Sequence, residues 1–265
     1  MHPRLAVHEI CFPDHMDSEA ILAWAAGHGI PSVGLFSQRH RKGWDREIAN
    51  VANSTTSIAY LCHSPMFNLD DPSTWDASTQ KLKATVDAAC AMGTSVVYTT
   101  TGPTGRLEFE EAVEALCRAI VPARTYAAAR GIKLLTETTY PTFRFAHFLH
   151  TFQDTVDVAA AAGIGVCLDL HPTWHERGLR QRILSSIARI DLVQVADQAP
   201  RNVTMARDVV GEGIVPIEGL LALLFEAGYD GRVDLELLGR PQATMLDDIL
   251  RSAERLSTIL TRIGA

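Results

Sequence analysis

The chain has no paired cysteines, no long apolar run and no excess of basic charge, and each shortage narrows what it can be. Its five cysteines, Cys11, Cys62, Cys90, Cys117 and Cys167, fall singly within apolar segments and form no CxxC pair. That usage suits small buried hydrophobes in a reducing compartment, so a cytoplasmic location is expected. No stretch of about 18 apolar residues is there to span a membrane. The opening MHPRLAVHEICF lacks a basic segment leading into a long apolar one, so no secretory signal is expected. Lysine and arginine number 24 against 31 acids, a net charge of -7. Recognition of DNA or RNA through phosphates needs a basic face, which this balance argues against. No Pro/Gly/Ser-rich linker or charge block divides the chain, so residues 1–265 read as one domain.

What is present is a strict alternation. Short apolar runs at about 5–10, 32–36, 57–61, 95–100, 133–137, 165–169, 191–195 and 232–237 read as strands. Patterns of helical period separate them: from Ser18, then about 45–53, 76–92, 108–130, 148–162, 179–188, 217–227 and 246–263. Glycines at 29, 93, 131, 163 and 228 mark the return from helix to strand. Eight such units with right-handed crossovers close into a (β/α)8 barrel, for which 265 residues is near the roughly 250 usual. The alternative, a doubly wound open sheet, is weakened because no GxGxxG or GxxxxGK[ST] follows the first strand.

Four polar residues stand where four of these strands run out: Glu137, Asp169, Gln194 and Glu236. All strand C-termini of such a barrel open on one face, where catalytic groups gather. Three carboxylates and an amide oxygen there make an oxygen-rich cage for one hard divalent cation, Mn2+ or Mg2+.

The segments GIKLLTETTYPT, GIGVCLDLHPTWHERG, IDLVQVADQAPR and GEGIVPIEGLLALLFEAGYDGRVDLELLG, and more weakly AYLCHSPMFNL, resemble the xylose isomerase-like barrel superfamily across essentially the whole chain. That superfamily includes sugar isomerases, ketose 3-epimerases, inosose dehydratases, hydroxypyruvate isomerases and endonuclease IV. The resemblance implies Glu137, Asp169, Gln194 and Glu236 as ligands of a single Mg2+ or Mn2+. It also implies Glu137 and Glu236 as the acid and base flanking a substrate. Many members carry His where this chain has Gln194. Gln194 followed by Arg201 is similar to hydroxypyruvate isomerases, and Gln at this position also to 3-dehydroshikimate dehydratases. The fourth strand ends in YTTTG without His, so the histidine-rich three-zinc site of endonuclease IV is not expected. In DLH, His171 lies two residues after Asp169 where relatives often place it three after, which makes His175 a competing candidate.

Further candidates for substrate binding are His63 after the third strand, His8 in the first, His171 and Trp174 as pocket walls, and Arg201 as a bidentate anchor. Phe12, Phe36, Phe67, Tyr140 and Phe143 cluster just past strand ends, and an aromatic mouth can stack on a ring face. The expected function is a metal-dependent isomerase or epimerase of a sugar, polyol or hydroxy-keto compound, working through proton abstraction next to a carbonyl. A dehydratase is the first alternative, and a non-catalytic polyol-binding or accessory barrel is the second. A small molecule is the expected partner, with neither nucleic acid nor membrane, and self-association into a homo-oligomer stays open.

Overall fold

Eight parallel strands close into a barrel in sequence order, each pairing with the next and β8 pairing back onto β1. The computed structural model describes residues 1–64, 66–200 and 205–265. The strands are β1 (Leu5–His8), β2 (Ser32–Phe36), β3 (Ser57–His63), β4 (Val96–Thr99), β5 (Lys133–Glu137), β6 (Gly165–Asp169), β7 (Ile190–Val195) and β8 (Arg232–Leu235). Around them run α1 (Ser18–Gly27), α2 (Asp45–Ala52), α3 (Trp75–Ala91), α4 (Phe109–Ala119), α5 (Val121–Ala128), α6 (Phe152–Ala162), α7 (Leu170–Thr173), α8 (Leu179–Ser186), α9 (Ile217–Glu226) and α10 (Met245–Ile263).

Local chemistry sets the ends of these elements. Asp17 caps α1 by accepting from the Ala20 N–H at 3.0 Å. Thr151 caps α6 in the same way, so that helix begins four residues later than the 148 expected from periodicity. The single helix expected over 108–130 is two. Pro122 has no N–H to give to the preceding turn, and the chain breaks at Ile120 between α4 and α5. The structure also adds α7, one short turn directly after β6, nucleated where the Asp169 side chain accepts from the His171 N–H at 3.0 Å.

The strands have two faces. Leu5, Val7, Val33, Leu35, Leu134, Val166, Leu168, Val193, Val195, Val233 and Leu235 point outward into the core shared with the helices. Ala6, Tyr60, Cys62, Tyr98, Leu135, Cys167 and Leu192 point inward and fill the barrel. A two-residue step on each strand therefore moves one layer up the interior. Gly34 is an inward position without a side chain; a Cβ there would run into the Tyr60 ring, which takes the space instead.

Candidate active site

The top inward layer is polar. Glu137 ends β5, Asp169 ends β6 and Glu236 follows β8 by one residue. All three carboxylates are buried and line one cavity of about 370 Å3 at the C-terminal face of the barrel. That size is on the small-molecule scale. Phe36, Tyr140, Phe143 and Phe145 form much of its wall.

A fourth charged group sits among the acids. The Arg207 guanidinium donates from Nη2 to Asp169 Oδ2 at 2.7 Å and from Nη1 to Glu236 Oε2 at 2.6 Å. It is buried, and it is the one lysine or arginine among the described lining residues. Burial works against its charge, but Asp169, Glu236 and Glu137 outweigh it and raise its pKa further. Its backbone is pinned on both sides. The Arg207 N–H donates to the Leu238 carbonyl at 2.8 Å, and neighbouring Asp208 forms an antiparallel bridge with Asp197. Asp197 in turn accepts from the N–H groups of Gly211 and Val215 at 2.8 and 3.0 Å. Gly213 must lack a side chain because the Asp197 carboxylate and the Gln198 carbonyl pass where its Cβ would be. The GEG segment at 211–213 thus shapes the loop that presents Arg207.

Three carboxylates share one guanidinium, so the charges do not balance. Burial first, then Glu236 and Asp169, push the Glu137 carboxyl well above the usual range and favour its protonated form. Burial also raises Asp169, with Arg207 pulling the other way. Behind Glu137, His147 ties two loops together. Its Nδ1 accepts from the Thr101 N–H at 2.8 Å, which leaves the proton on Nε2, 2.7 Å from the Glu137 carbonyl. Burial pushes His147 down to about 3, so it acts there as a neutral donor.

One layer deeper lies a hydrogen-bonded floor. Gln194 is fully buried, with Oε1 accepting from Cys167 Sγ at 3.1 Å and Nε2 donating to Asp234 Oδ2 at 3.1 Å. Gln194 is in register with Asp169 on one side and with Asp234 on the other, but its amide is bonded to Cys167 and Asp234, and it does not line the cavity. Tyr60 also donates to Asp234, at 2.7 Å. Burial raises the Asp234 carboxyl well above its ordinary range, and its Oδ1 has no hydrogen-bond partner among the described residues. His8 joins floor to mouth. Its Nδ1 accepts from the Ile10 N–H at 2.9 Å, so Nε2 carries the proton, 2.8 Å from Tyr98 Oη and 3.9 Å from Glu236 Oε1. Burial pushes His8 down to about 3.

The structure divides the residues singled out in the sequence. Glu137, Asp169, Glu236 and His8 converge on the cavity, as do Phe36, Tyr140 and Phe143 of the aromatic set. Phe12 and Phe67 are packed in the outer core instead. His63 is buried with Nδ1 2.8 Å from Thr85 Oγ1 and does not line the cavity. His171 is buried behind Tyr140, whose hydroxyl is 3.2 Å from its Nδ1, while Trp174 donates to Gln198 Oε1 at 3.3 Å and His175 is exposed. Arg201 lies outside the described residues. Sequence reasoning missed Arg207, His147, Tyr98 and Phe145. Arg207 follows no strand directly, and its one sequence signal is its place just before GEG.

The cation site expected from the sequence can be tested against this geometry, and the donor set does not fit it. Two of the three carboxylates each give one oxygen to Arg207, and both ends of the Gln194 amide are engaged in the floor. Among the described residues, no group of three or more His, Cys, Asp or Glu side chains is arranged to hold a metal ion.

Comparison with known proteins bears on the fold. Among curated proteins, none matches the chain by sequence at a significant level. Similar solved structures include the IolI protein with a bound zinc atom, at 16% identity and a TM-score of 0.83, covering 98% of this chain and 99% of that one. D-psicose 3-epimerase with D-tagatose from Clostridium cellulolyticum H10 aligns at 14% identity and a TM-score of 0.79, over 96% and 98% of the two chains. The probable 3-DHS dehydratase AsbF from Bacillus anthracis aligns at 15% identity and 0.76, also over 96% and 98%. Identities this low show the shared barrel. The family model described as xylose isomerase-like TIM barrel matches residues 22–257. With that match covering most of the barrel, the chain belongs to the xylose isomerase-like TIM barrel family.

Proposed function

We propose that this barrel moves a proton at a carbon next to a carbonyl in a small uncharged hydroxy-carbonyl compound, as an isomerase or epimerase. The observation that carries this reading is the unequal acid pair at the mouth. Glu137 is a buried acid biased toward its protonated form, and Glu236 is a carboxylate bound to Arg207 in the same cavity. Two carboxyl groups whose surroundings differ in this way can divide the roles of acid and base.

In this mechanism Glu236 takes the proton from the carbon, the electron pair moves into the carbonyl, and an enediol-type intermediate forms. Glu137 then delivers its proton from its own side, to the same carbon for epimerisation, or to the former carbonyl carbon for isomerisation, in which case the neighbouring hydroxyl gives its proton to the first oxygen and becomes the new carbonyl. The step leaves Glu236 protonated and Glu137 ionised, and exchange with water at the open mouth resets them. The Arg207 guanidinium lines the cavity and is the donor at hand for the developing oxyanion. The residues of this chain account for every proton moved, and no step runs through a divalent cation.

The lining supports an uncharged substrate. Among the described lining residues, three carboxylates outnumber one guanidinium already engaged by two of them, so a phosphorylated or carboxylated compound would meet net repulsion there. The aromatic wall offers a flat apolar surface to a ring or to the C–H face of a polyol. Relatives named as an epimerase and as a dehydratase put both outcomes within reach of such an intermediate.

The test is a panel of ketoses, inososes and cyclic hydroxyketones in deuterated water, read by mass spectrometry, beside phosphorylated and carboxylated counterparts. Deuterium at carbon in an uncharged compound without loss of water is the expected result. A product lighter by one water moves the assignment to a dehydratase. Turnover confined to the anionic compounds would overturn the proposed substrate class.

A further inference from the structure

We infer that the Arg207 guanidinium is the resident cation of this mouth, and that it and a divalent metal ion are mutually exclusive occupants of the same carboxylates. Asp169 and Glu236 end adjacent inward positions on either side of β7, and the side chain bridging them is an arginine. Its two nitrogens make separate charge-assisted hydrogen bonds, at 2.7 and 2.6 Å, to one oxygen of each acid. A metal held by both acids would compete with the guanidinium for them: of the two remaining oxygens, Asp169 Oδ1 already accepts from the His171 N–H at 3.0 Å, and Glu236 Oε1 lies 3.9 Å from His8 Nε2.

Arg207 is built into its place. Its N–H bonds the Leu238 carbonyl, and its Nη1 also lies 3.2 Å from the Glu236 carbonyl. Next to it, Asp208 is bridged to Asp197 through the backbone and accepts from Arg240 at 3.0 Å and from the Ala199 N–H at 2.6 Å. Displacing the guanidinium would expose none of this framework to compensation, and would leave a buried positive charge without partners. The floor reinforces the exclusion. Gln194 is the one neutral oxygen donor the sequence offers to a cation here, and its Oε1 already accepts from Cys167 while its Nε2 is tied to Asp234. A metal would have to break bonds in both layers.

This inference does not depend on the proposed reaction, because its readout is metal binding alone. Titration calorimetry with Mn2+ on the whole chain, purified without chelator and dialysed, is the experiment. The wild-type protein should show no saturable site of one Mn2+ per chain, and Arg207→Lys, which keeps the positive charge, should behave alike. Arg207→Met and Arg207→Gln free two carboxylates and should gain a single site, bound at least about tenfold more tightly than by wild type. Adding Asp169→Asn to Arg207→Met should abolish the gain, which locates the metal on these acids. Wild-type protein that retains one equivalent of metal, or that binds Mn2+ as tightly as Arg207→Met, would overturn the inference. The wild-type arm alone can do so even where the uncharged variants do not fold.

Discussion

The barrel mouth and the turn after β2 each bury a cluster of charged side chains, yet only one of them lines a cavity. At the mouth, Glu137, Asp169 and Glu236 share Arg207. After β2, Glu9 and Glu47 share His40, which reaches Glu9 Oε2 at 2.8 Å with one ring nitrogen and Glu47 Oε1 at 3.0 Å with the other. Arg39 completes that second cluster, 3.8 Å from Glu9, while its guanidinium holds the carbonyls of Glu9, Pro13 and Met16. Two acids meet two cations there, and Glu9 Oε2 also accepts from the Phe36 N–H at 2.7 Å, while Glu9 Oε1 has no hydrogen-bond partner among the described residues. At the mouth three acids meet one cation among the described residues, and burial first, then the neighbouring acids, favour the protonated form of Glu137. Matched charges fasten a loop to the barrel, whereas a surplus beside open space leaves a group ready to exchange a proton.

The largest effect should come from removing the surplus. Glu137→Gln should lower turnover by about 10²- to 10⁴-fold while leaving the thermal midpoint unchanged or higher, because it relieves repulsion among buried acids. Glu9→Gln should invert the pattern, costing stability rather than turnover. Steady-state rates and melting curves on both proteins would erase the distinction between the clusters if the two variants lost activity alike.

Next in size is the loss of the mouth cation. Arg207→Met leaves two buried carboxylates unpaired, which costs about 3–5 kcal/mol and on the order of 10 °C in Tm for a chain of this length. Added Mn2+ should restore part of the lost Tm in this variant and none in the wild type. A melting temperature within experimental error of wild type would mean that Arg207 is not holding these acids together.

A smaller and pH-dependent effect is expected at His40. Burial lowers its pKa, but the hydrogen bond and charge of Glu9, followed by Glu47, more than compensate, so the folded value lies above the unfolded one. A group raised in this way contributes stability that is fully present below the unfolded value of about 6.5 and is lost as pH rises through the folded pKa. The gap in stability between wild type and His40→Gln should therefore be widest in mild acid, about 1–3 kcal/mol, and should narrow in the alkaline direction. Denaturant melts across that range check the sign; a gap that widens with pH would place His40 in its neutral form.

The smallest effect belongs to His175, the exposed histidine beside Trp174. His175→Ala should stay within about 0.5 kcal/mol of wild type and leave turnover alone. A marked loss of turnover would put this surface at the substrate and redraw the mouth.

The strand-and-helix alternation was legible in the sequence because it is a local property. Hydrophobic period, a capping Asp17 or Thr151 and a helix-stopping glycine each act within a few residues. The same local logic placed Glu137, Asp169 and Glu236 at strand ends, and inward alternation brought them to one cavity. It also put Gln194 on an inward position, in register with Asp169, but did not show which way its amide would turn. That direction depends on side chains of both neighbouring strands, since the amide is held by Asp234 of β8 and Cys167 of β6 and so does not line the cavity. His63 and His171 likewise followed strands correctly and turned elsewhere, one to Thr85 and the other behind Tyr140. Arg207 could not be found by any strand rule, since the loop between β7 and α9 carries it back over the mouth from thirty-eight residues beyond Asp169. The sequence by itself determined the barrel, its polar end and the acids there. Only the tertiary structure decided which cation those acids hold, because a side chain's partner across a barrel is fixed by closure and stagger of the sheet, and neither is written in any one segment.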